Sequence, residues 1–239
     1  DGCEVEPGME AAPLTAENAS SIPDAQGVYQ LFLDGQLVYI GKTDAEAGLR
    51  KRIQRHAGKI LNRSNLEGRE VTFKAVQVLV FTAMDLETAL IKHYKKKGSP
   101  SAWNGSGFGS NDPGRNRERT NQKPEGFDAS FPINVDVKLD VLPLGEHTVA
   151  HGLAKLKDAL NYTLRYETEQ VGGRAQRGKP HPDLLETIFE VTRNPQTVRE
   201  ILRAMLESLP FGWQATVFAS HMILYKENTN YTYGEALRK

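Results

Sequence analysis

The sequence predicts an α+β fold, with a small sheet and flanking helices followed by an α/β C-terminal region. Three observations support this prediction: a strong hairpin signal near the N-terminus, helical periodicity directly after it, and further strand and helix patterns beyond a glycine-rich break. The chain has 239 residues, 39% of them hydrophobic and 25% charged, as is typical of globular domains. It is long enough for a catalytic module and a companion of similar size.

The hairpin signal follows an acidic lead-in, residues 1–26, that is rich in proline and alanine. Two strand-like runs, Gly27–Leu33 and Leu37–Ile40, lie on either side of Asp34-Gly35. This dipeptide favours a two-residue turn between antiparallel strands. We therefore expect a hairpin here.

Helix and strand patterns alternate after the hairpin. Apolar residues at four-residue spacing predict a helix over residues 45–59. The run Val71–Phe81 is apolar enough for a buried strand. Asp85 is the expected N-cap of a further helix, which carries Glu87.

The C-terminal half begins with residues 105–126, a stretch so rich in glycine and proline that we expect no regular structure in it. Beyond it, the patterns predict a half-buried strand over Ile133–Val141, helices over Val149–Glu169, Pro182–Glu190 and Pro195–Leu209, and one or two strands over Trp213–Tyr225.

Composition argues against several classes of protein. The net charge is zero, with 30 basic and 30 acidic residues, so binding to nucleic acid depends on how charge is distributed. No apolar run is long enough to span a membrane, and the first residues show no signal-peptide pattern. Cys3 is the only cysteine, which excludes an internal disulfide and argues against a cysteine-based metal site. We therefore expect a protein of the reducing cytoplasm.

Five sequence elements stand in a fixed order within residues 22–104. They are Gly27-Val28-Tyr29, Val38-Tyr39-Ile40-Gly41-Lys42-Thr43, Leu49-Arg50-Lys51-Arg52-Ile53-Gln54-Arg55-His56, Glu87-Thr88-Ala89-Leu90-Ile91 and Trp103-Asn104. In this order and near this spacing, the sequence resembles the GIY-YIG nuclease superfamily. The resemblance implies a metal-dependent catalytic module over residues 27–104 with a small GIY-YIG-type sheet. A valine replaces the usual isoleucine of the first element, which is a small change in volume.

The resemblance also implies a role for each matching residue. Tyr29 and Tyr39 match the two motif tyrosines, Arg52 the catalytic arginine one helical turn before His56, Glu87 the metal-binding glutamate, and Asn104 the asparagine that closes the module. One glutamate can hold one Mg²⁺ or Mn²⁺ per active site when water and phosphate complete the coordination. An arginine forks onto phosphate oxygens in a geometry that lysine cannot copy.

Three residues are candidates for activating the attacking water. Tyrosine has an ordinary pKa of about 10, so Tyr29 is a poor base at neutral pH without help. Lys42 could stabilise its phenolate, and His56 could accept a proton from Tyr29 or directly from water. We favour contact between Tyr29 and the water, with His56 or Lys42 assisting and Tyr39 orienting the phosphate or packing beside it.

Arginines in the glycine-rich stretch are the expected contacts with DNA, because arginine reads guanine in the major groove. The run Gly107–Arg115 resembles the branch of GIY-YIG type II restriction endonucleases that cuts the palindrome CCGCGG. The residues predicted to contact DNA are Arg115, Arg117, Arg119, Lys42, Arg50 and Arg55.

This resemblance implies a bacterial, cytoplasmic enzyme that cuts double-stranded DNA. A palindrome is read most simply by a two-fold symmetric homodimer. In a restriction–modification system, a cognate DNA methyltransferase acts on the same site. Residues 127–239 would then serve DNA specificity, dimerisation or both, and no membrane is involved.

Two alternatives remain. Asp136-Val137-Lys138 partly matches the nuclease core of the PD-(D/E)xK type, although the preceding acidic residue is missing. The other alternative is a non-catalytic or structure-specific DNA-binding or repair protein that keeps the GIY-YIG fold. An intact set of tyrosines, arginine, histidine and glutamate argues against it.

Overall fold

The computed structural model describes residues 9–78, 83–110, 114–119 and 122–238, with the backbone alone at 83–85 and 115–117. The chain divides into a first unit, Asp1–Asn111 with Pro124–Ser130, and a second unit, Asp112–Lys123 with Phe131–Lys239. Both contain helices and small sheets, which confirms the α+β class. None of the described helices combines the length and the apolar character that crossing a membrane requires.

The first unit is built around one antiparallel sheet of four strands. Its elements are β1 (Ala12–Pro13), α1 (Ala16–Ser20), β2 (Gly27–Leu33), β3 (Gln36–Thr43), α2 (Leu49–Ile60), β4 (Val71–Gln77), α3 (Ala83–Lys96) and α4 (Phe127–Ser130). The strand order is β1-β4-β2-β3. The predicted hairpin is confirmed, since β2 and β3 pair through Asp34 and Gly35, which both have the positive φ of a tight hairpin turn.

Helices α2 and α3 cover opposite faces of this sheet. Val28 and Ile40 pack with Leu90 of α3, whereas Tyr29, the neighbour of Val28, contacts His56 of α2. Neighbouring residues of a strand point to opposite faces, so the two helices lie on different sides. The face covered by α2 is the one that receives the tyrosines.

Several bounds in the first unit differ from the prediction. Helix α2 begins at Leu49 rather than at residue 45, because Gly48 with a φ of 66° interrupts the chain before it. Helix α3 begins at Ala83, so Asp85 lies inside it and the N-cap prediction is wrong. The predicted strand Val71–Phe81 ends at Gln77; residues 79–81 lie outside the described residues.

The second unit begins with the 3₁₀ helix Gly114–Arg119, hereafter the arginine turn, where no regular structure was expected. Its other elements are β5 (Lys138–Leu139), β6 (Gly145–Thr148), α5 (Val149–Ala159), β7 (Thr163–Tyr166), β8 (Thr168–Val171), β9 (Arg174–Pro180), α6 (Pro182–Glu186), β10 (Ile188–Val191), β11 (Gln196–Thr197), α7 (Val198–Ser208), β12 (Gln214–Phe218), β13 (His221–Tyr225) and β14 (Gly234–Arg238). The largest sheet has the order β14-β12-β13-β7, with β7 parallel to β13.

Predictions for the second unit were wrong mainly where helix gives way to strand. The predicted helix Val149–Glu169 ends at Ala159, and β7 and β8 follow it. The predicted helix Pro182–Glu190 ends at Glu186, with β10 after it. The predicted helix Pro195–Leu209 begins at Val198, and two strands over Trp213–Tyr225 are confirmed.

Ile133–Val141 is not a strand, although its apolar residues alternate. The side-chain oxygen of Asn134 accepts a hydrogen bond from the backbone N–H of Asp136 and holds a turn there. Only Lys138–Leu139 pairs as a strand. Local hydrogen bonding by an asparagine side chain therefore overrides the alternating pattern.

Candidate active site

Two tyrosines enter the site from the central hairpin. Tyr29 in β2 pairs with Gly41 in β3, and it is completely buried. A Cβ atom at Gly41 would lie 2.4 Å from the Tyr29 hydroxyl, so the Tyr29 ring requires a glycine beside it. Tyr39 lies on the same face two residues before Gly41, and the two tyrosine ring centroids are 6.0 Å apart.

Helix α2 places two further residues against the Tyr29 hydroxyl. Arg52 and His56 are one helical turn apart and therefore share a face of the helix. The Tyr29 Oη atom lies 2.7 Å from His56 Nε2, and Arg52 Nε donates to the same oxygen at 3.4 Å. Two residues of α2 thus meet a tyrosine of β2 at one hydroxyl group.

Burial controls the protonation of this cluster. Burial, followed by the nearby charges of Arg52, Lys59 and Arg55, lowers the pKa of His56 from 6.5 to about 3. Burial and the neighbouring Tyr39 raise the pKa of Tyr29 above its usual range, although Arg52 acts in the opposite direction. At neutral pH the pair is therefore a neutral imidazole and a neutral phenol.

The direction of the hydrogen bond between Tyr29 and His56 depends on the tautomer of the neutral imidazole. With the ring proton on Nδ1, Tyr29 donates to His56 Nε2; with the ring proton on Nε2, His56 donates to Tyr29. The Tyr29 oxygen can accept from Arg52 in both cases. His56 Nδ1 is buried and has no hydrogen-bond partner among the described residues.

Residues 107–110 form a wall beside Tyr29, Arg52 and His56, and none of them is among the predicted catalytic residues. The Phe108 ring stacks on His56 with centroids 4.7 Å apart and an interplanar angle of 15°. The Gly109 carbonyl accepts from Arg52 at 3.3 Å. A Cβ atom at Gly109 would lie 2.4 Å from the Tyr39 hydroxyl. The sequence signal for this wall is Phe108 between Gly107 and Gly109, within the run Gly107–Arg115 that resembles restriction endonucleases.

Cations of α2 and of the segment after it fix this wall. Lys59 Nζ donates to the carbonyl groups of Gly107 and Phe108 and lies 5.2 Å from the centre of the Phe108 ring. Arg63, with only 4% of its side chain exposed, forms an ion pair with Asp128 of α4 at 2.9 Å. The wall and α4 are therefore held to the helix that carries Arg52 and His56.

Glu87, the expected metal ligand, pairs with Lys42. Its Oε2 atom lies 3.1 Å from Lys42 Nζ, and the Glu87 side chain is 20% exposed. Lys42 pairs with Val28 across the hairpin, and Val28 is the neighbour of Tyr29 in β2. Because neighbouring residues of a strand point to opposite faces, Lys42 lies on the face of the sheet opposite Tyr29. No contact within the described part of the chain joins Glu87 to Tyr29, Arg52 or His56. The predicted catalytic residues therefore form two groups, one of Tyr29, Tyr39, Arg52 and His56 and the other of Lys42 and Glu87.

Asn104 has a clear structural role. Its side-chain oxygen accepts from the Ile40 N–H and its side-chain nitrogen donates to the Ile40 carbonyl, both at 2.8 Å. Trp103 N–H donates to the Val38 carbonyl at 2.7 Å. This segment therefore satisfies backbone groups of the edge strand that carries Tyr39.

The predicted DNA-contacting arginines lie in different settings. Arg50 donates to the Ile22 carbonyl at 2.8 Å, while Arg55 is exposed. Arg119 is exposed at the end of the arginine turn, in the second unit. The side chains of Arg115 and Arg117 lie outside the described residues.

The residues of the PD-(D/E)xK alternative are placed differently from what that core needs. Asp136 lies in a turn and forms an ion pair with Arg199 at 2.7 Å. Among the side chains that the structure describes, no group of three or more histidine, cysteine, aspartate or glutamate residues could hold a metal ion. Asp136 and Lys138 therefore have no ligand cluster around them.

Comparisons of the chain with models of protein families, with curated proteins and with solved structures find no match.

Proposed function

We propose that this protein is a metal-dependent endonuclease that hydrolyses phosphodiester bonds in double-stranded DNA. The hydrogen bond between Tyr29 and His56, with Arg52 donating to the same hydroxyl, is the observation that carries the proposal. A buried phenol between an acceptor and a cation is well suited to moving a proton beside a charged phosphate.

The proposed chemistry moves one proton away from water. The Tyr29 oxygen takes a proton from the attacking water while its own proton passes to His56 Nε2. Water then attacks phosphorus as hydroxide, and the bond to the leaving oxygen breaks. Arg52 stabilises negative charge on Tyr29 and on the phosphate. A bound phosphate also offsets the cations that lower the pKa of His56, which makes His56 a better acceptor.

The metal would be held by Glu87. One carboxylate beside Lys42, without a cluster of further acidic residues in the described part of the chain, fits an ion whose other ligands are water and phosphate. It does not fit a closed structural site. When bound, Mg²⁺ or Mn²⁺ would polarise the phosphate and stabilise the leaving oxygen.

Within this proposal, the enzyme is a type II restriction endonuclease with a G·C-rich palindromic target, and it acts as a homodimer in the bacterial cytoplasm. The resemblance of the run Gly107–Arg115 to the branch cutting CCGCGG supports this specificity. The partner enzyme in the cell is then a DNA methyltransferase that protects the same site.

The decisive experiment is digestion of plasmid DNA with Mg²⁺ by the wild type and by Tyr29→Phe. The wild type should give discrete fragments, and Tyr29→Phe should lose about 10²–10⁴ in the single-turnover rate. Because phenylalanine keeps the buried ring above Gly41, the fold should be retained. Full activity of Tyr29→Phe would refute the proton relay, and absence of cutting by the wild type would refute the function.

A second candidate is a DNA-binding protein that keeps the fold without catalysis. The ion pair between Glu87 and Lys42, which is separate from the tyrosine cluster, favours this second candidate. Lys42 already balances the negative charge of the Glu87 carboxylate, so no divalent ion is needed for that purpose. A gel shift of plasmid fragments without cutting, in Mg²⁺ and in Mn²⁺, would support this candidate.

A further inference from the structure

Strands β8 and β9 form an exposed two-stranded ribbon, hereafter the basic ribbon, residues 168–180. The strands pair only with each other in the described sheets, and none of their residues is buried. Gly172 and Gly173 at its tip both have positive φ. The pairing shifts register between Thr168 and Gln170, opposite a stretch that includes Gly178 at a φ of 80°. A ribbon of this kind is only marginally stable without a partner.

The charge of the basic ribbon is positive. It carries Arg174, Arg177 and Lys179 against a single acidic residue, Glu169, which pairs with Lys179 at 3.8 Å. Arg174 and Arg177 are exposed, and neither side chain forms an ion pair or hydrogen bond with a residue that the structure describes. Two arginines are thus available to an anionic partner.

The base of the basic ribbon is held by the main sheet of the second unit. Glu167 N–H donates to the Leu224 carbonyl at 3.0 Å, and His181 N–H donates to the Glu167 carbonyl at 3.1 Å. The basic ribbon therefore continues directly from β7, which pairs in parallel with β13.

The arginine turn is anchored at the same end of that sheet. Its residue Glu118, with 6% of the side chain exposed, accepts from Tyr225 Oη at 3.0 Å and pairs with Arg165 at 3.4 Å. Arg165 lies in β7 and Tyr225 ends β13. The arginine turn and the basic ribbon are therefore both attached near the ends of β7 and β13.

We propose that the basic ribbon binds duplex DNA in the major groove, with Arg174 and Arg177 contacting phosphates. The inference rests on the proposed function, and it names a DNA-binding element beyond the arginine turn. The major groove admits a two-stranded ribbon, and arginine suits phosphate because it donates two parallel hydrogen bonds. The two paired strands and the exposed arginines of the basic ribbon match both requirements.

The test measures binding of the full chain to a fluorescent duplex of about 30 base pairs, three helical turns, that carries CCGCGG. Ca²⁺ replaces Mg²⁺ so that binding is separated from cutting. The double variant Arg174→Gln/Arg177→Gln should raise Kd by about tenfold or more. It should also reduce the slope of log Kd against log salt by about 1.8, which corresponds to two lost phosphate contacts.

The matched control is Lys155→Gln/Arg203→Gln, which removes two exposed cations from α5 and α7 of the same unit. It should leave Kd and slope as in the wild type. Unchanged binding by the ribbon variant, or an equal loss in the control, would overturn the inference. All substituted residues are exposed, so the melting temperature should stay the same and can be checked.

The outcomes also separate this inference from the proposed function. If the wild type binds DNA without cutting it and the ribbon variant binds more weakly, the nuclease proposal is refuted and DNA binding by the basic ribbon is supported. If the wild type cuts DNA and the ribbon variant binds it as tightly, the nuclease proposal is supported and the ribbon inference is refuted. A wild type that does not bind the duplex would refute both. If sedimentation shows that the ribbon variant alone is monomeric, the ribbon is a contact between copies of the chain, and the DNA inference is wrong.

Discussion

The buried hydroxyl of Tyr29 lies between a guanidinium group and an imidazole. Both His56 and Tyr29 are forced by burial towards their neutral forms, since a charge on either would lack solvation. Arg52 stays charged: burial lowers its pKa, but the hydrogen bond to Tyr29 and the further interactions with Tyr29 and Tyr39 more than offset this effect. The site therefore holds the positive charge of Arg52 beside the proton that Tyr29 and His56 share in their hydrogen bond.

A consequence for stability can be measured directly. The folded-state pKa of His56, about 3, is below its unfolded value of 6.5, so the unfolded chain binds a proton that the folded chain does not. Stability is then lost as the pH falls below 6.5. From about pH 7 to about pH 5 the wild type should lose about 2 kcal/mol more than His56→Gln, at about 1.4 kcal/mol per pH unit.

Urea unfolding followed by the fluorescence of Trp103, in a Trp213→Phe background, measures this difference in the first unit. His151→Gln, which removes an exposed histidine of the second unit, is the control and should behave as the wild type. Equal slopes for the wild type and His56→Gln between these pH values would show that His56 is not held neutral by burial.

The sequence could predict which residue types gather at this site, but not the wall that encloses them. Tyr29, Tyr39, Arg52 and His56 follow from motif order and helical spacing, and the structure brings them together. Phe108 and Gly109 could not be predicted, because their contacts depend on the return of a glycine-rich chain to α2. The separation of Glu87 from the tyrosines likewise depends on the pairing register of β2 and β3.

At the scale of elements, short-range signals decided which predictions were right. The hairpin was predicted correctly because Asp34-Gly35 fixes the turn, whereas the register shift between Leu31 and Phe32 has no such signal. Helix α7 begins where Thr197 and Glu200 form a capping box, a local signal that sets its start more firmly than periodicity does. The basic ribbon was missed, although Gly172-Gly173 between two short polar runs is itself a hairpin signal.

The wall of residues 107–110 makes a prediction at this scale. Gly109→Ala should destabilise the first unit by about 1–3 kcal/mol, because the new methyl group would meet the Tyr39 hydroxyl at 2.4 Å. In a Tyr39→Phe background the same substitution should cost about 1 kcal/mol less. Chemical denaturation of the four proteins of this cycle gives the coupling.

Gly58→Ala is the matched control for the wall, because Gly58 lies in α2 and a Cβ atom there meets nothing within 4 Å. It should stabilise the protein by about 0.5–1 kcal/mol, since alanine favours helix over glycine. If Gly109→Ala were as harmless as Gly58→Ala, the wall would not be packed on Tyr39.

At the scale of the whole molecule, the two units differ in how far their sequence predicts their structure. Three of the four strands described in the first unit have seven or eight residues, long enough to show a pattern, and only β1 is shorter. The second unit contains strands of two residues, β5 and β11, whose pairing depends on distant partners and leaves no periodic signal. Its polar strands β8 and β9 lack an apolar face, so hydrophobic patterns could not reveal them.

The proposed homodimer predicts how catalytic work is divided between two copies of the chain. Each copy would hold one Glu87 site and cut one strand of a palindrome. Glu87→Gln alone should bind plasmid DNA and cut neither strand, because it loses the negative charge that holds the metal. A limiting amount of wild type mixed with a large excess of Glu87→Gln would then reside mainly in mixed dimers, and nicked circles should replace linear DNA as the product.

Agarose gels of supercoiled plasmid distinguish the two products. An equal excess of Lys155→Gln/Arg203→Gln, which keeps Glu87, controls for protein concentration and should increase the linear product. Linear DNA formed from the Glu87→Gln mixture as readily as from the wild type alone would mean that one copy cuts both strands. In that case the enzyme would not need two-fold symmetry to cut a two-fold symmetric target. A monomer that cuts the two strands in two successive events would then replace the homodimer as the explanation.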